Sequence, residues 1–278
     1  MSSTFSKNWI KVACSIRIDS GVSASNPRDG GHMSISKSVS QQIELLQPGK
    51  LFSYQDISGY AEHSDAVIKA ISRNSERLGL VKIKKGLFYK SELGRFGPMA
   101  PKESDIIKYF IFQNNKTIGY ITGPTLYHRW GLTTQIPAEV SIATSKNKRE
   151  KAELSGLRIS TFPAKYNKVS KNNIKILQFL DIISNIDRIP DANTGEVTIK
   201  LSKKLSNYSR DNIREMERIA VNAYPERSKA ILGFLLDHYL NYVSSTLEKS
   251  LNKTSYFYVP LSYGLNSAFK RWKLKNKE

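Results

Sequence analysis

Apolar residues between positions 64 and 78 recur at a helical spacing. Val67, Ile71 and Leu78 are separated by four and seven residues, which places them on one face of a predicted helix. The predicted exposed face carries small and cationic residues, with Ser64 at its start, followed by Ala66, Lys69, Ala70, Arg73 and Arg77.

A predicted β-hairpin follows this helix directly. Residues 80–84 alternate apolar and polar side chains, as a half-buried strand does. Lys85-Gly86 is suited to a tight turn, and residues 87–90 predict the returning strand. Positions 64–90 contain seven Lys or Arg residues against two acids, so the helix and the hairpin are both cationic.

Two shorter helices are predicted upstream. The apolar positions Val39, Ile43 and Leu46 mark the first helix. Ser53 and Asp56 form an acidic variant of a capping box, which predicts a short helix over about 54–60. Ser64 is the predicted cap of the third helix. The order helix, short helix, turn, helix, hairpin predicts a winged helix-turn-helix.

The remainder of the chain predicts a mixed α/β segment and then helices. A helix near Ser104 and another from Pro124 to Gly131 accompany three predicted strands, at residues 117–122, 140–143 and 157–162. A basic loop joins the last two of these strands. Helices are then predicted over about 173–185, 195–206, 210–223 and 225–249.

The fold class expected from these patterns is α+β, in three parts. Residues 1–33 are rich in Ser, Asn and Gly and predict a weakly ordered leader, or an extension from cloning or an alternative start. Residues 34–92 are the predicted winged helix-turn-helix domain. After a Gly- and Pro-containing linker, residues 102–278 form a C-terminal domain that is mixed α/β to about residue 165 and then helical.

The charge of the chain indicates a polyanionic partner. A formal net charge of +19 and a pI near 9.8 favour DNA, RNA or an anionic membrane surface. No apolar run approaches the ~20 residues needed to cross a bilayer, so no membrane partner is expected. The one cysteine, Cys14, fits a reducing compartment, and a cytoplasmic location is expected.

The exposed half of the third helix is the predicted DNA-reading surface. Arg73 is suited to a guanine edge, Lys69 to guanine or phosphate, and Ala66 and Ala70 to close approach or a thymine methyl. Arg77 is expected at phosphate. The hairpin cations expected on the DNA backbone are Lys82, Lys84, Lys85 and Lys90. A possible second basic contact comprises Lys146, Lys148, Arg149 and Lys151.

The residues that catalysis or metal binding would need do not form a recognisable pattern. His32, His63, His128 and His238 lack metal-ligand spacing, and no partner cysteines accompany them. No phosphate-binding glycine loop or nucleophile elbow is present. No catalytic residues, no metal and no cofactor are therefore predicted, and the protein is not expected to be an enzyme.

Several motifs resemble those of the AbiEi-type antitoxin family of type IV toxin–antitoxin (abortive infection) systems. The resemblance covers about residues 36–165. Its most distinctive run is Gly-Leu-Thr-Thr-Gln-Ile-Pro at 131–137. The other similar motifs are Phe-Ser-x-x-Asp at 52–56, Ala-Ile-Ser-Arg at 70–73, Gly-Leu at 79–80, the hairpin at 85–90 and Gly-Tyr-Ile-Thr-Gly-Pro at 119–124.

This resemblance implies a transcriptional autorepressor that binds inverted repeats of operator DNA before its own operon. The same operon would encode a nucleotidyltransferase-like toxin, which the C-terminal region would counteract without necessarily binding it directly. Two alternatives remain open at this point. One is a nucleic-acid-processing enzyme with a helix-turn-helix targeting module, and the other is a basic protein-interaction adaptor.

Overall fold

The computed structural model of the protein describes residues 34–95, 97–113, 116–259 and 267–276. The leader predicted over residues 1–33 lies outside these ranges. The described residues form a mixed α+β fold with ten α-helices and several small sheets. None of these helices has both the length and the apolar content to cross a membrane.

The first part of the fold combines two helices with a three-stranded antiparallel sheet. In chain order its elements are α1 (Ile35–Glu44), β1 (Leu51–Ser53), a 3-10 turn (Tyr54–Asp56), α2 (Ser64–Asn74), β2 (Leu80–Lys84) and β3 (Leu87–Lys90). The strand order is β1-β3-β2, so the predicted hairpin is confirmed and β1 pairs with its second strand.

The predicted short helix over 54–60 is wrong beyond Asp56. Ser53 donates to Asp56 Oδ2 from its backbone N–H at 2.6 Å and from Oγ at 2.8 Å, as the capping pattern predicted. Ile57 then takes an extended conformation (φ −95°, ψ 126°) and buries its side chain. Gly59 follows with a φ of 85°, a left-handed conformation that ends any helix.

The prediction for the end of the third helix also needs correction. The helix ends at Asn74, not at Leu78, although Leu78 is still buried. Ser64 is the first helical residue, and His63 occupies the cap position in its place. The chain closes the helix with a bond from the Leu80 N–H to the Ser75 carbonyl at 2.8 Å, next to Gly79 at a φ of 61°.

The middle of the chain builds a second, mixed sheet. Its elements are β4 (Leu93–Gly94), β5 (Gly97–Pro98), α3 (Glu103–Ile111), β6 (Phe112–Gln113), β7 (Lys116–Thr117), β8 (Gly119–Ile121), α4 (Gly123–Arg129), β9 (Val140–Thr144), β10 (Glu150–Leu154) and β11 (Leu157–Pro163). The four-stranded sheet has the order β10-β11-β9-β8, and β9 and β11 are parallel.

The prediction that one basic loop joins two strands is wrong, because β10 lies between them. A two-residue turn with positive φ at Ser155 (52°) and Gly156 (78°) joins β10 to β11 as a hairpin. Glu150 and Lys151 therefore belong to a strand, and the loop proper ends before them.

The C-terminal part is mainly helical. It comprises α5 (Ile174–Ser184), a 3-10 turn (Ile186–Arg188), α6 (Thr194–Leu205), α7 (Arg210–Ala223), α8 (Glu226–Leu240), α9 (Ser245–Lys249), β12 (Phe257–Val259), α10 (Ser267–Arg271) and β13 (Leu274–Asn276). The predicted helix over 225–249 is in fact two helices, because Asn241 is left-handed (φ 50°) and ends α8.

Two apolar cores hold these elements together. A small core joins α1 and α2 to the first sheet through residues such as Ile43, Val67 and Phe88. A large core occupies the rest of the fold and also takes in Leu51, Leu87 and Tyr89 from β1 and β3. The first sheet thus contributes side chains to both cores. A domain boundary between residues 92 and 102 stays a prediction.

Candidate nucleic-acid interface

Helix α2 has one buried face and one exposed, cationic face. Val67 and Ile71 are fully buried in the small core. Ser64, Lys69 and Arg73 are exposed on the other side. Neither Lys69 nor Arg73 makes an ion pair or side-chain hydrogen bond among the described residues. Both side chains are consequently available to a ligand.

The prediction that Ala70 lies on the exposed face is wrong. Its side chain is only 3% exposed and packs within the small core beside Val67 and Ile71. Position 70 lies three residues from Val67 on the helix, close enough to share its face. An alanine there permits α1 to pack closely against α2. Ala66 is half-buried and remains at the edge of the exposed face.

Two of the predicted DNA-contacting cations are held by α1. The Arg77 guanidinium lies 3.1 Å from the Glu44 carboxylate, and both side chains are about half exposed. Lys90 Nζ donates to the backbone carbonyl of the same Glu44 at 2.7 Å. Arg77 and Lys90 therefore differ from Lys69 and Arg73, because they already have partners within the protein.

The hairpin formed by β2 and β3, which we call the wing, presents lysines outward. Lys82, Lys84 and Lys85 are exposed, whereas Val81 and Ile83 alternate with them and pack against the large core. The tip lies close to the 3-10 turn, because a Cβ on Gly86 would lie 3.5 Å from the Tyr54 ring. The wing is therefore a supported strand pair with a cationic outer face.

The second predicted basic contact is exposed. Lys146, Lys148, Arg149 and Lys151 are all exposed. Lys148 pairs with Glu150 at 3.0 Å, and this contact lowers the pKa of the Glu150 carboxyl. The positive charges of Lys84 and Lys146 lower the same pKa further. Because Lys84 lies on the wing, the wing and Glu150 interact electrostatically.

A second polar cluster lies inside the large core around Asp181. Its carboxylate accepts hydrogen bonds from the Tyr120 hydroxyl (2.9 Å), the Thr122 hydroxyl (2.8 Å) and the Tyr224 hydroxyl (3.0 Å). Burial and the nearby Asp181 charge raise the pKa of both tyrosines. Lys165 Nζ lies 3.9 Å from the same carboxylate. These contacts tie β8 to α5 and α7, and they satisfy the carboxylate without a ligand.

Tyr120 and Tyr127 are core residues, because both side chains are at most 5% exposed. Neither ring is therefore available to stack on a nucleic acid. Trp130 and Phe162 are half-buried instead. A cation covers each of their rings, from Lys204 over Trp130 at 4.4 Å and from Arg149 over Phe162 at 5.9 Å.

The described residues contain no group of three His, Cys, Asp or Glu side chains that would hold a metal ion. His63 and His128 are exposed on separate elements, and His238 stacks on Phe234 at 5.2 Å. Cys14 and His32 lie outside the described residues. The expectation that the chain has no cofactor and no catalytic residue stays a prediction.

Comparison with known proteins identifies no family. No family model matches the chain, and no curated protein matches it. Among solved structures, the chain is similar to the crystal structure of the RV2827C protein from Mycobacterium tuberculosis. That likeness has a TM-score of 0.45 at 12% sequence identity, over 86% of this chain and 90% of that chain.

Proposed function

We propose that residues 35–90 form a winged helix-turn-helix that binds duplex DNA. The observation that carries the proposal is the exposure of Lys69 and Arg73 on α2, which have no partner within the described part of the chain. The opposite face of α2 is anchored in the small core. A helix held in this way presents its outer face to the major groove, which is wide enough to admit it.

The order of elements supports this proposal. A helix, a strand, a turn, a second helix and a two-stranded wing follow one another, and the strands pair in the order β1-β3-β2. In this arrangement α2 is the recognition helix and the wing flanks it. The first helix of the helix-turn-helix pair is reduced here to the 3-10 turn at 54–56.

The side chains fall into two roles. Arg73 reads a guanine edge, with Lys69 on guanine or phosphate and Ala66 near a thymine methyl. Lys82, Lys84 and Lys85 contact the DNA backbone, which fixes position without specifying sequence. Lys146, Lys148, Arg149 and Lys151 would add a second exposed basic contact to the DNA backbone.

We infer the biological role from the AbiEi-type motifs. The protein would be a cytoplasmic transcriptional autorepressor that binds inverted repeats upstream of its own operon. It would also be an antitoxin of a type IV phage-defence system, opposing a nucleotidyltransferase-like toxin through its C-terminal part. Because antitoxicity would reside outside α2, variants of α2 would lose repression and retain protection when the two proteins are co-expressed.

Fluorescence anisotropy with DNA from upstream of the gene, and with a scrambled duplex of equal length, tests the DNA-binding proposal. Arg73→Ala should remove about 1–3 kcal/mol of discrimination between the two duplexes, which is the contribution of a bidentate base contact. Lys69→Ala should also reduce discrimination. Lys84→Ala should weaken binding to both duplexes about equally and should reduce the salt dependence of binding by about one counterion.

Arg210→Ala is the matched control, because Arg210 is an exposed arginine at the start of α7. This variant should leave both affinities unchanged. The recognition-helix assignment fails if Arg73→Ala, Lys69→Ala and Lys84→Ala all bind the upstream DNA as the parent protein does.

A further inference from the structure

The strand β12 exposes two tyrosines on one side of the C-terminal sheet. Tyr256, which immediately precedes the strand, and Tyr258 are each 58% exposed. Phe257 between them is half-buried against the large core, and Val259 is fully buried. The alternation places both side chains on the outer face, and their backbone positions are about 6.6 Å apart at the usual rise per residue.

The C-terminal segment that carries these rings is rich in cations. From position 249 to 277 the chain contains seven Lys or Arg residues and no Asp or Glu. Lys275 Nζ lies 4.1 Å from the centroid of the Tyr256 ring, and Lys275 is the register partner of Tyr258 on β13. Lys253, three residues before Tyr256, is also exposed.

Other contacts fix the position of this strand. Arg227 Nε donates to the Tyr258 carbonyl at 3.1 Å, and the Phe257 N–H donates to the Lys273 carbonyl at 2.8 Å. Lys273 Nζ in turn donates to the carbonyls of Asn252 and Lys253. The two rings are consequently exposed on a supported backbone.

We propose that this surface, defined by Tyr256, Tyr258, Lys253 and Lys275, binds single-stranded RNA. Unpaired bases stack on exposed aromatic rings, and cations beside the rings meet the phosphates. The spacing of the two rings along an extended strand suits successive nucleotides of an extended chain. An incoming phosphate can also recruit the Lys275 ammonium from its position over Tyr256.

The chemistry favours this partner over others. The bases of a duplex are stacked on each other, so their faces cannot reach the tyrosines. An acidic protein would pair with the lysines and would leave the two rings without a partner. RNA presents unpaired bases persistently in loops and ends, where stacking on aromatic side chains is the usual mode of recognition.

This surface is separate in sequence and elements from α2 and the wing, so the proposal does not depend on operator binding. The test is fluorescence anisotropy of the full chain with a labelled twelve-nucleotide oligouridine. The double variant Tyr256→Ala/Tyr258→Ala should bind roughly tenfold or more weakly, given the usual contribution of a stacked base. Tyr256→Phe/Tyr258→Phe keeps both rings and should retain the affinity of the parent protein.

Lys275→Gln should weaken binding and reduce its salt dependence, whereas Lys203→Gln, at an exposed lysine on α6, should not. Thermal unfolding of each variant establishes that it folds. Duplex binding by the Tyr256→Ala/Tyr258→Ala variant should be unchanged, which separates this surface from the proposed DNA interface.

Three outcomes would overturn the proposal. Undiminished oligouridine binding by the Tyr256→Ala/Tyr258→Ala variant would place the RNA elsewhere. Equal or tighter binding of oligothymidine would reassign the surface to single-stranded DNA. If polyglutamate at equal charge displaced all of the oligouridine, the lysines alone would account for binding. That result would indicate an acidic protein partner.

Discussion

Cations on the proposed DNA interface differ in whether the protein already neutralises them. Lys69 and Arg73 have no partner among the described residues, whereas Arg77 is paired with Glu44 at 3.1 Å. Both members of that pair are about half exposed, so the pair contributes little to stability. Its larger effect would be on DNA binding, because Glu44 cancels a charge beside α2.

Glu44→Gln should therefore strengthen DNA binding without changing sequence preference. The substitution frees Arg77 and removes one negative charge, while Lys90 keeps its bond to the Glu44 backbone carbonyl. Affinity at low salt should rise a few-fold for all duplexes. The slope of the logarithm of the association constant against the logarithm of the salt concentration should become steeper by about one unit. Anisotropy titrations at several salt concentrations measure both quantities.

Glu248→Gln, at an exposed acid on α9, is the charge-matched control and should produce a smaller change in affinity. Equal strengthening by Glu248→Gln and Glu44→Gln would mean that only net charge matters. The Glu44–Arg77 pair would then have no specific role at the interface.

Helix ends show where element-scale prediction from sequence succeeds and where it fails. The apolar spacing of Val67 and Ile71 correctly predicted α2, because that signal is local. The prediction of one long helix over 225–249 was wrong, since Asn241 adopts φ 50° and ends α8 there. Asparagine tolerates this conformation better than most residues but does not require it. The end of α8 at this position could therefore not be predicted from the sequence.

Asn241→Val should destabilise the protein by about 1–2 kcal/mol, because a β-branched residue is strained at positive φ. The free energy of unfolding of Asn241→Gly should lie within a few tenths of a kcal/mol of that of the parent protein, since glycine adopts this conformation freely. Urea unfolding followed by circular dichroism measures both differences. Full stability of Asn241→Val would show that α8 and α9 can run on as one helix.

At the scale of the whole molecule, the first sheet is shared between the two cores. Its face toward α2 contributes Phe52 and Phe88 to the small core, while Leu51, Leu87 and Tyr89 enter the large core. The alternation of side chains along β1 and β3 is what permits one sheet to serve both. The predicted DNA-binding domain would therefore lose one of its packing faces if it were isolated.

A fragment of residues 34–92 should accordingly unfold at lower urea concentration than the full chain. Burying a leucine contributes about 1.5–3 kcal/mol, and the fragment would expose Leu51 and Leu87 together. Leu87→Ala should cost about 2–5 kcal/mol in the full chain and much less in the fragment. If the fragment and the full chain share one midpoint and respond equally to Leu87→Ala, residues 34–92 are an independent domain.

Local patterns of residues were sufficient to predict α2, the β2–β3 hairpin and most of the later helices. Helical and strand periodicities and turn residues are properties of neighbouring positions, so no distant contact is needed to read them. Contacts between elements that are distant in sequence bury Ala70 and pair Glu44 with Arg77. Through Asp181 they also join β8 to α5 and α7. Each of these contacts joins residues on separate elements, and their proximity follows from the packing of whole elements on two cores.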